Sequence, residues 1–296
     1  PDPEQFDAFG YSVSLYENRA LVGAFSDDRG TAFLFDVSTG ALLLTIKLPS
    51  PSGGSAEEFG RSVSLYENTA LISAPKENPD DEPANITAAG VVYLFDIVNC
   101  DNDTSNDGDG DYSPLMGDGI CEAATLIFKN PTPVSQDLFG MSVSIDGTTV
   151  LVGAENDNSV TTSIQAGTAY LFDTITCDND ISNNAGGEYS PSIDDGNCEA
   201  ATRTLNNPAL GPNDKFGHFV SLSGDMALVG AYQDTSSTPG PGAAYLFDVS
   251  SGALLQTLTN PTPESGDRFG RSVSLDGDTA LVGAYFDNTN AADAGA

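Results

Sequence analysis

The chain has 296 residues, 39% of them hydrophobic, and sets 43 acidic against 10 basic side chains for a formal net charge of −33. The length allows a sizeable core, and the charge excludes nucleic acids and anionic membrane surfaces as partners, because both are repelled. No run approaches the roughly 18 apolar residues of a membrane-spanning helix, and Pro1 reads as a mature or trimmed start with no Met-led signal peptide.

From its beginning the chain repeats itself. Phe9 opens the segment FGYSVSLYENRALVGA. Phe59, Phe139, Phe216 and Phe269 open FGRSVSLYENTALISA, FGMSVSIDGTTVLVGA, FGHFVSLSGDMALVGA and FGRSVSLDGDTALVGA. Within each copy SVSL alternates small polar and apolar residues, which predicts a first strand. YEN, DGT, SGD or DGD follows, and Asn, Asp and Gly tolerate the positive φ of a tight turn. ALVGA is a nearly all-apolar second strand, as expected where both faces are buried. A third strand, rich in aromatic residues, comes as GTAFLFD, GVVYLFD, GTAYLFD or GAAYLFD. A further turn leads to a fourth strand such as ALLLTI or ALLQTL, and Pro-containing links end the unit.

The units run 9–58, 59–138, 139–215, 216–268 and, incomplete, 269–296. Four strands in up-down order, repeated in this way, predict an all-β fold. It is made of tandem four-stranded antiparallel blades, in a β-propeller or a propeller-like array.

In the second and third units the turn after strand three is replaced by a long insertion, 100–121 and 177–198. Each is bounded by cysteines, Cys100 with Cys121 and Cys177 with Cys198. The even count and matched spacing predict two disulfides at the mouths of these hairpins, hence an oxidising compartment. CxxC spacing is absent and His218 is the one histidine, which argues against a zinc site.

The first insertion alternates Asp107, Asp109 and Asp111, with Asp118 eleven positions after Asp107, matching positions 1, 3, 5 and 12 of a calcium loop. Tyr112 stands where such a loop has Gly. A second candidate set is Asp101 and Asp103 with Asp118 or Glu122. The second insertion keeps Asp178, Asp180, Asp194, Asp195 and Glu199. Crowded carboxylates repel one another, and calcium is the candidate cation that would relieve them. The triplets Asn85-Ile-Thr and Asn102-Asp-Thr are N-glycosylation acceptors.

The slot after Phe-Gly holds Tyr11, Arg61, Met141, His218 and Arg271 in turn. So variable a slot reads as a surface position. A lone surface histidine, with no second one and no distinctive carboxylate pair, predicts that the chain is not an enzyme.

The Phe-Gly and Gly-Ala landmarks, including Ala74-Pro75 in the second copy, resemble the FG-GAP repeat. The resemblance covers nearly the whole chain. It implies a β-propeller of the integrin-α kind and an extracellular, secreted or cell-surface location. It also implies an adhesive or scaffolding role, with a protein or glycan ligand. The loops after Gly-Ala lack the DxDxDG pattern of the family's calcium-binding blades.

Strand order places the chain's start just before a first strand and its close after a second. One expectation is a window from a longer repeat protein. The sharper one is a half-blade completed by another subunit through strand pairing, giving head-to-tail self-association and a filament. The alternative function is a calcium-dependent, integrin-like ligand-binding module.

Overall fold

The computed structural model describes residues 7–27, 29–49, 57–78, 86–98, 119–121, 124–157, 165–177, 197–234, 240–287 and 295. All twenty regular elements among them are strands.

The first blade is β1 (Ser12–Tyr16), β2 (Arg19–Ala24), β3 (Thr31–Asp36) and β4 (Leu42–Lys47). β5 (Val63–Tyr66), β6 (Thr69–Ala74) and β7 (Val91–Asp96) begin the second. The two-residue β8 (Ile120–Cys121) comes next, and β9 (Leu126–Lys129) completes that blade. The third is β10 (Phe139–Asp146), β11 (Thr149–Ala154) and β12 (Thr168–Asp173), then β13 (Asn197–Cys198) and the outer strand β14 (Arg203–Asn206). The fourth is β15 (Phe216–Ser223), β16 (Met226–Ala231), β17 (Ala243–Asp248) and β18 (Leu254–Thr259). β19 (Phe269–Asp276) and β20 (Thr279–Ala284) form a half-blade.

Each full blade is an antiparallel meander with its first strand on one edge and its fourth on the other. First strands of successive blades abut: β1 on β5, β5 on β10, β10 on β15, β15 on β19. The second strands of the second, third and fourth blades are buried along nearly their whole length, as their unbroken apolar runs predict. Between consecutive blades lie separate hydrophobic seams. One joins Leu21 and Leu34 of the first blade to Phe59, Leu65 and Ile72 of the second. The same sandwich recurs at the next two junctions.

β8 and β13 depart from the meander. β8 runs parallel to β4, pairing Thr45 with Ile120 and Ile46 with Cys121. β13 runs parallel to β9, pairing Asn197 with Ile127 and Cys198 with Phe128. The chain leaving each Cys-bounded insertion therefore reaches back and adds a fifth strand to the outer edge of the preceding blade.

Candidate functional site

The landmarks of the repeat meet at the seams. Phe139 is fully buried and stands edge-on to Phe172, with ring centroids 6.0 Å apart. Phe216 stands the same way on Phe247, also at 6.0 Å. From the second unit on, the Phe-Gly backbone lies against a glycine of the blade before it: Phe59 on Gly30, Phe139 on Gly90, Phe216 on Gly167 and Phe269 on Gly242. A Cβ on Gly167 would fall 2.1 Å from the carbonyl oxygen of Phe216, and one on Gly153 would fall 1.9 Å from that of Gly217. Gly217 itself has φ +84°, a conformation that glycine adopts without strain. The Phe-Gly and Gly-Ala landmarks are thus two halves of one backbone-to-backbone contact between neighbouring blades.

Serine hydroxyls bridge the first strands, which share no sheet. The Val143 N–H donates to Ser62 Oγ and the Ile145 N–H to Ser64 Oγ, both at 3.1 Å. Val220 and Leu222 donate to Ser142 and Ser144 at 3.0 Å, and Leu275 to Ser221 at 3.0 Å. The small polar positions of SVSL supply the acceptors that the edge of each first strand needs.

A carboxyl pair is buried at each of these seams. Asn130 Nδ2 donates to Asp137 Oδ2 at 2.9 Å and to Asp157 Oδ2 at 3.4 Å, and the Tyr170 hydroxyl donates to Asp157 at 2.6 Å. Burial first, and the Asp157 charge second, push Asp137 up to about 7. Asn260 holds Asp267 and Asp287 in the same way, at 2.8 Å each. Asn207 donates to Asp214 at 2.8 Å. The first link has Leu48 where the others have Asn, and at that seam Arg29 takes over, with its Nη2 3.0 Å from Glu57.

His218 is buried, not on the surface as its variable slot suggests. Its Nδ1 hydrogen-bonds Glu155, whose other oxygen lies 3.7 Å from Lys215 Nζ. Burial holds the imidazole below its usual range against the opposing pull of Glu155, and Arg271 and Arg61 push the same way as burial. Burial would raise Glu155, but His218, Lys215 and Arg271 together bring it below the usual carboxylate range. A neutral imidazole donating to a carboxylate satisfies both directions.

Cys177 and Cys198 form a disulfide. Cys121 is disulfide-bonded too; Cys100 lies outside the described residues. So do the candidate calcium ligands Asp101, Asp103, Asp107, Asp109, Asp111, Asp118, Asp178, Asp180 and Asp195, and the sequon residues Asn85 and Asn102. Of the other carboxylates at the insertions, Glu199 is described, and it accepts from Lys129 Nζ of the preceding blade at 3.1 Å.

The outward faces of the first blade and of the half-blade differ from the internal seams. Val13 and Leu15 are 65% and 69% exposed, whereas Val63 and Leu65 in the same places of the second blade are 6% and 4%. Leu281 is 72% exposed, whereas Leu21, Leu71, Leu151 and Leu228 are fully buried.

Four-stranded blades stacked through Phe-Gly and Gly-Ala define an all-β, propeller-like repeat protein. The FG-GAP repeat family matches residues 1–35, 45–95, 133–172, 210–247 and 254–296, and the chain belongs to that family. Among curated proteins no match is found. No helix among the described residues is long and apolar enough to cross a membrane.

Proposed function

We propose that the chain is a non-catalytic structural or adhesive protein of the extracellular space that associates head to tail through its two bare blade faces. The observation behind this reading is the match between those faces. The leading face of the first blade offers Val13 and Leu15, whose counterparts fill every internal seam. The trailing face of the half-blade offers Leu281, whose counterparts receive them. Ser272 and Ser274 are exposed there too, in the places from which Ser142 and Ser144 accept. A joint between unlike faces repeats without using itself up, so it propagates into a filament unless its rotation closes a ring. The disulfide supports an oxidising, extracellular setting.

Sedimentation velocity over a concentration series, with electron microscopy of the same samples, tests this. Regular polymers that disappear in Leu281→Asp are expected. A chain that stays monomeric at high concentration, or a Leu281→Asp variant that polymerises like the parent, would sink the proposal. Calcium binding by the acidic Cys-bounded segments belongs to the same proposal. A chelator added to formed polymers separates it from the alternative of a calcium-dependent ligand-binding module. Polymers that persist favour the structural role, and polymers that dissolve favour a calcium-gated one.

A further inference from the structure

We propose that the seam where the third and fourth blades meet the half-blade binds a single carboxylate borne on a small, otherwise uncharged body such as a sugar ring. This does not depend on the head-to-tail reading. The repeat breaks here. In four of the units a serine stands two places after Phe-Gly, as Ser12, Ser62, Ser142 and Ser272. The fourth blade has Phe219 instead, directly after the lone histidine. The substitution gives up a hydroxyl that elsewhere accepts an N–H from the next blade, and it sets an aromatic ring at 39% exposure.

Two arginines and the His218 ring gather around the same spot. The Arg271 guanidinium lies 4.9 Å from the centre of the Tyr232 ring. Arg268 lies 5.9 Å from that ring and 4.6 Å from the Phe286 ring. The His218 ring is 4.7 Å from Tyr232 and 5.1 Å from Phe219. Although the chain has 43 acidic residues, neither Arg268 nor Arg271 has a carboxylate within ion-pair distance among the described residues. Arg271 Nη1 is buried without a hydrogen-bond partner among them. The seam's Glu155 is already engaged by His218 and Lys215.

Stacking on aromatic rings fixes a guanidinium plane, and the unpartnered, buried Nη1 is a donor that a planar acceptor entering the seam would satisfy, as a carboxylate can. The size of the ligand follows from the rest of the chain. At −33 a polyanion is repelled as a whole. Beyond about 8 Å at physiological salt that repulsion is largely screened, so one isolated carboxylate feels chiefly the local arginines. The exposed Phe219 ring offers an apolar platform for the body that carries it.

Ligand-observed NMR with glucuronate, acetate and glucose tests the site on the wild type, Arg271→Gln, Phe219→Ser and Arg203→Gln. Arg203 is exposed and bonds the backbone carbonyls of Thr202 and Ser250, so it serves as the remote control. Glucuronate is expected to bind in the millimolar range and glucose not at all. Arg271→Gln should weaken glucuronate about tenfold, equivalent to ~1.4 kcal/mol, and Arg203→Gln should leave it unchanged. Phe219→Ser restores the repeat's own residue, so it should fold, and it should cost glucuronate affinity while sparing acetate. No glucuronate binding, or binding indifferent to Arg271, overturns the site. Acetate binding as tightly as glucuronate overturns the role of Phe219.

Discussion

The carboxyl groups of Asp137 and Asp157 face one amide group. Asn130 Nδ2 stands between them, bonded to both, in a buried seam. Asp137 therefore holds its proton up to about 7, against an ordinary 3.8. The folded chain binds that proton more tightly than the unfolded chain, so the contribution to stability is complete below about pH 4. It is lost as pH rises from there to about 7, and is flat above. At ~1.4 kcal/mol per pH unit over those roughly three units the ceiling is about 4 kcal/mol, and solvent screening holds the loss below it. Denaturant midpoints between pH 4 and 8 check this. Asp137→Asn should be the more stable protein at pH 8 and should lose most of the slope between pH 4 and 7.

Two glycines of like conformation separate backbone strain from seam contact. Gly10 has φ +83° and open space where a Cβ would stand. Gly167 has φ +88°, but its Cβ would meet the Phe216 carbonyl. Gly10→Ala should cost about 1–2 kcal/mol, the strain of positive φ alone. Gly167→Ala should cost clearly more, by about 2 kcal/mol or beyond, because the fourth blade must also be pushed off the third. Equal losses in thermal denaturation would mean that the close backbone approach is not what holds the seam.

The strands and their order were legible because alternation and turn chemistry act locally: SVSL, DGT and ALVGA each declare an element within a few residues. The seams were not, since they join residues far apart in the chain. Ser142 and Val220 are 78 positions apart, and nothing near either one names the other. The slot of His218 looked like surface because it varies, yet it varies with its partner across the seam. Arg61 lies 4.6 Å over Tyr11 and 5.0 Å from Phe25, His218 bonds Glu155, and Arg271 covers Tyr232. The two-residue strands β8 and β13 are too short to carry a period at all. The cysteines beside them pointed to a bridge but not to the neighbouring blade.

Ser144 accepts the Leu222 N–H at 3.0 Å in a part-buried seam. Replacing it with Ala leaves that donor without its acceptor and fills no new space, so the cost should be about 1–3 kcal/mol. Ser144→Thr keeps the hydroxyl and should retain most of the stability. Amide exchange at Leu222 reads the bond directly: the exchange rate should rise in the Ala variant and stay near wild type in Thr. An unchanged rate in both would remove the serine ladder as a source of cohesion.

The Cys177–Cys198 disulfide closes a segment spanning 21 positions, and Cys198 is itself paired in β13 with Phe128 of the second blade. The bridge thus acts on two blades: it closes the third blade's insertion and holds the fifth strand of the second in place. Glu199, next along the chain, adds its ion pair with Lys129 on the same outer strand. On the chain-entropy account, closing a loop of this length contributes roughly 3 kcal/mol. A Cys177→Ser/Cys198→Ser variant should lose about that much. Hydrogen exchange should locate part of the loss at Ile127 and Phe128 in the second blade, across the seam from the deleted bridge. If faster exchange were confined to the third blade, β13 would not depend on the bridge to stay on its neighbour. The two insertions would then be local staples and not clasps between blades.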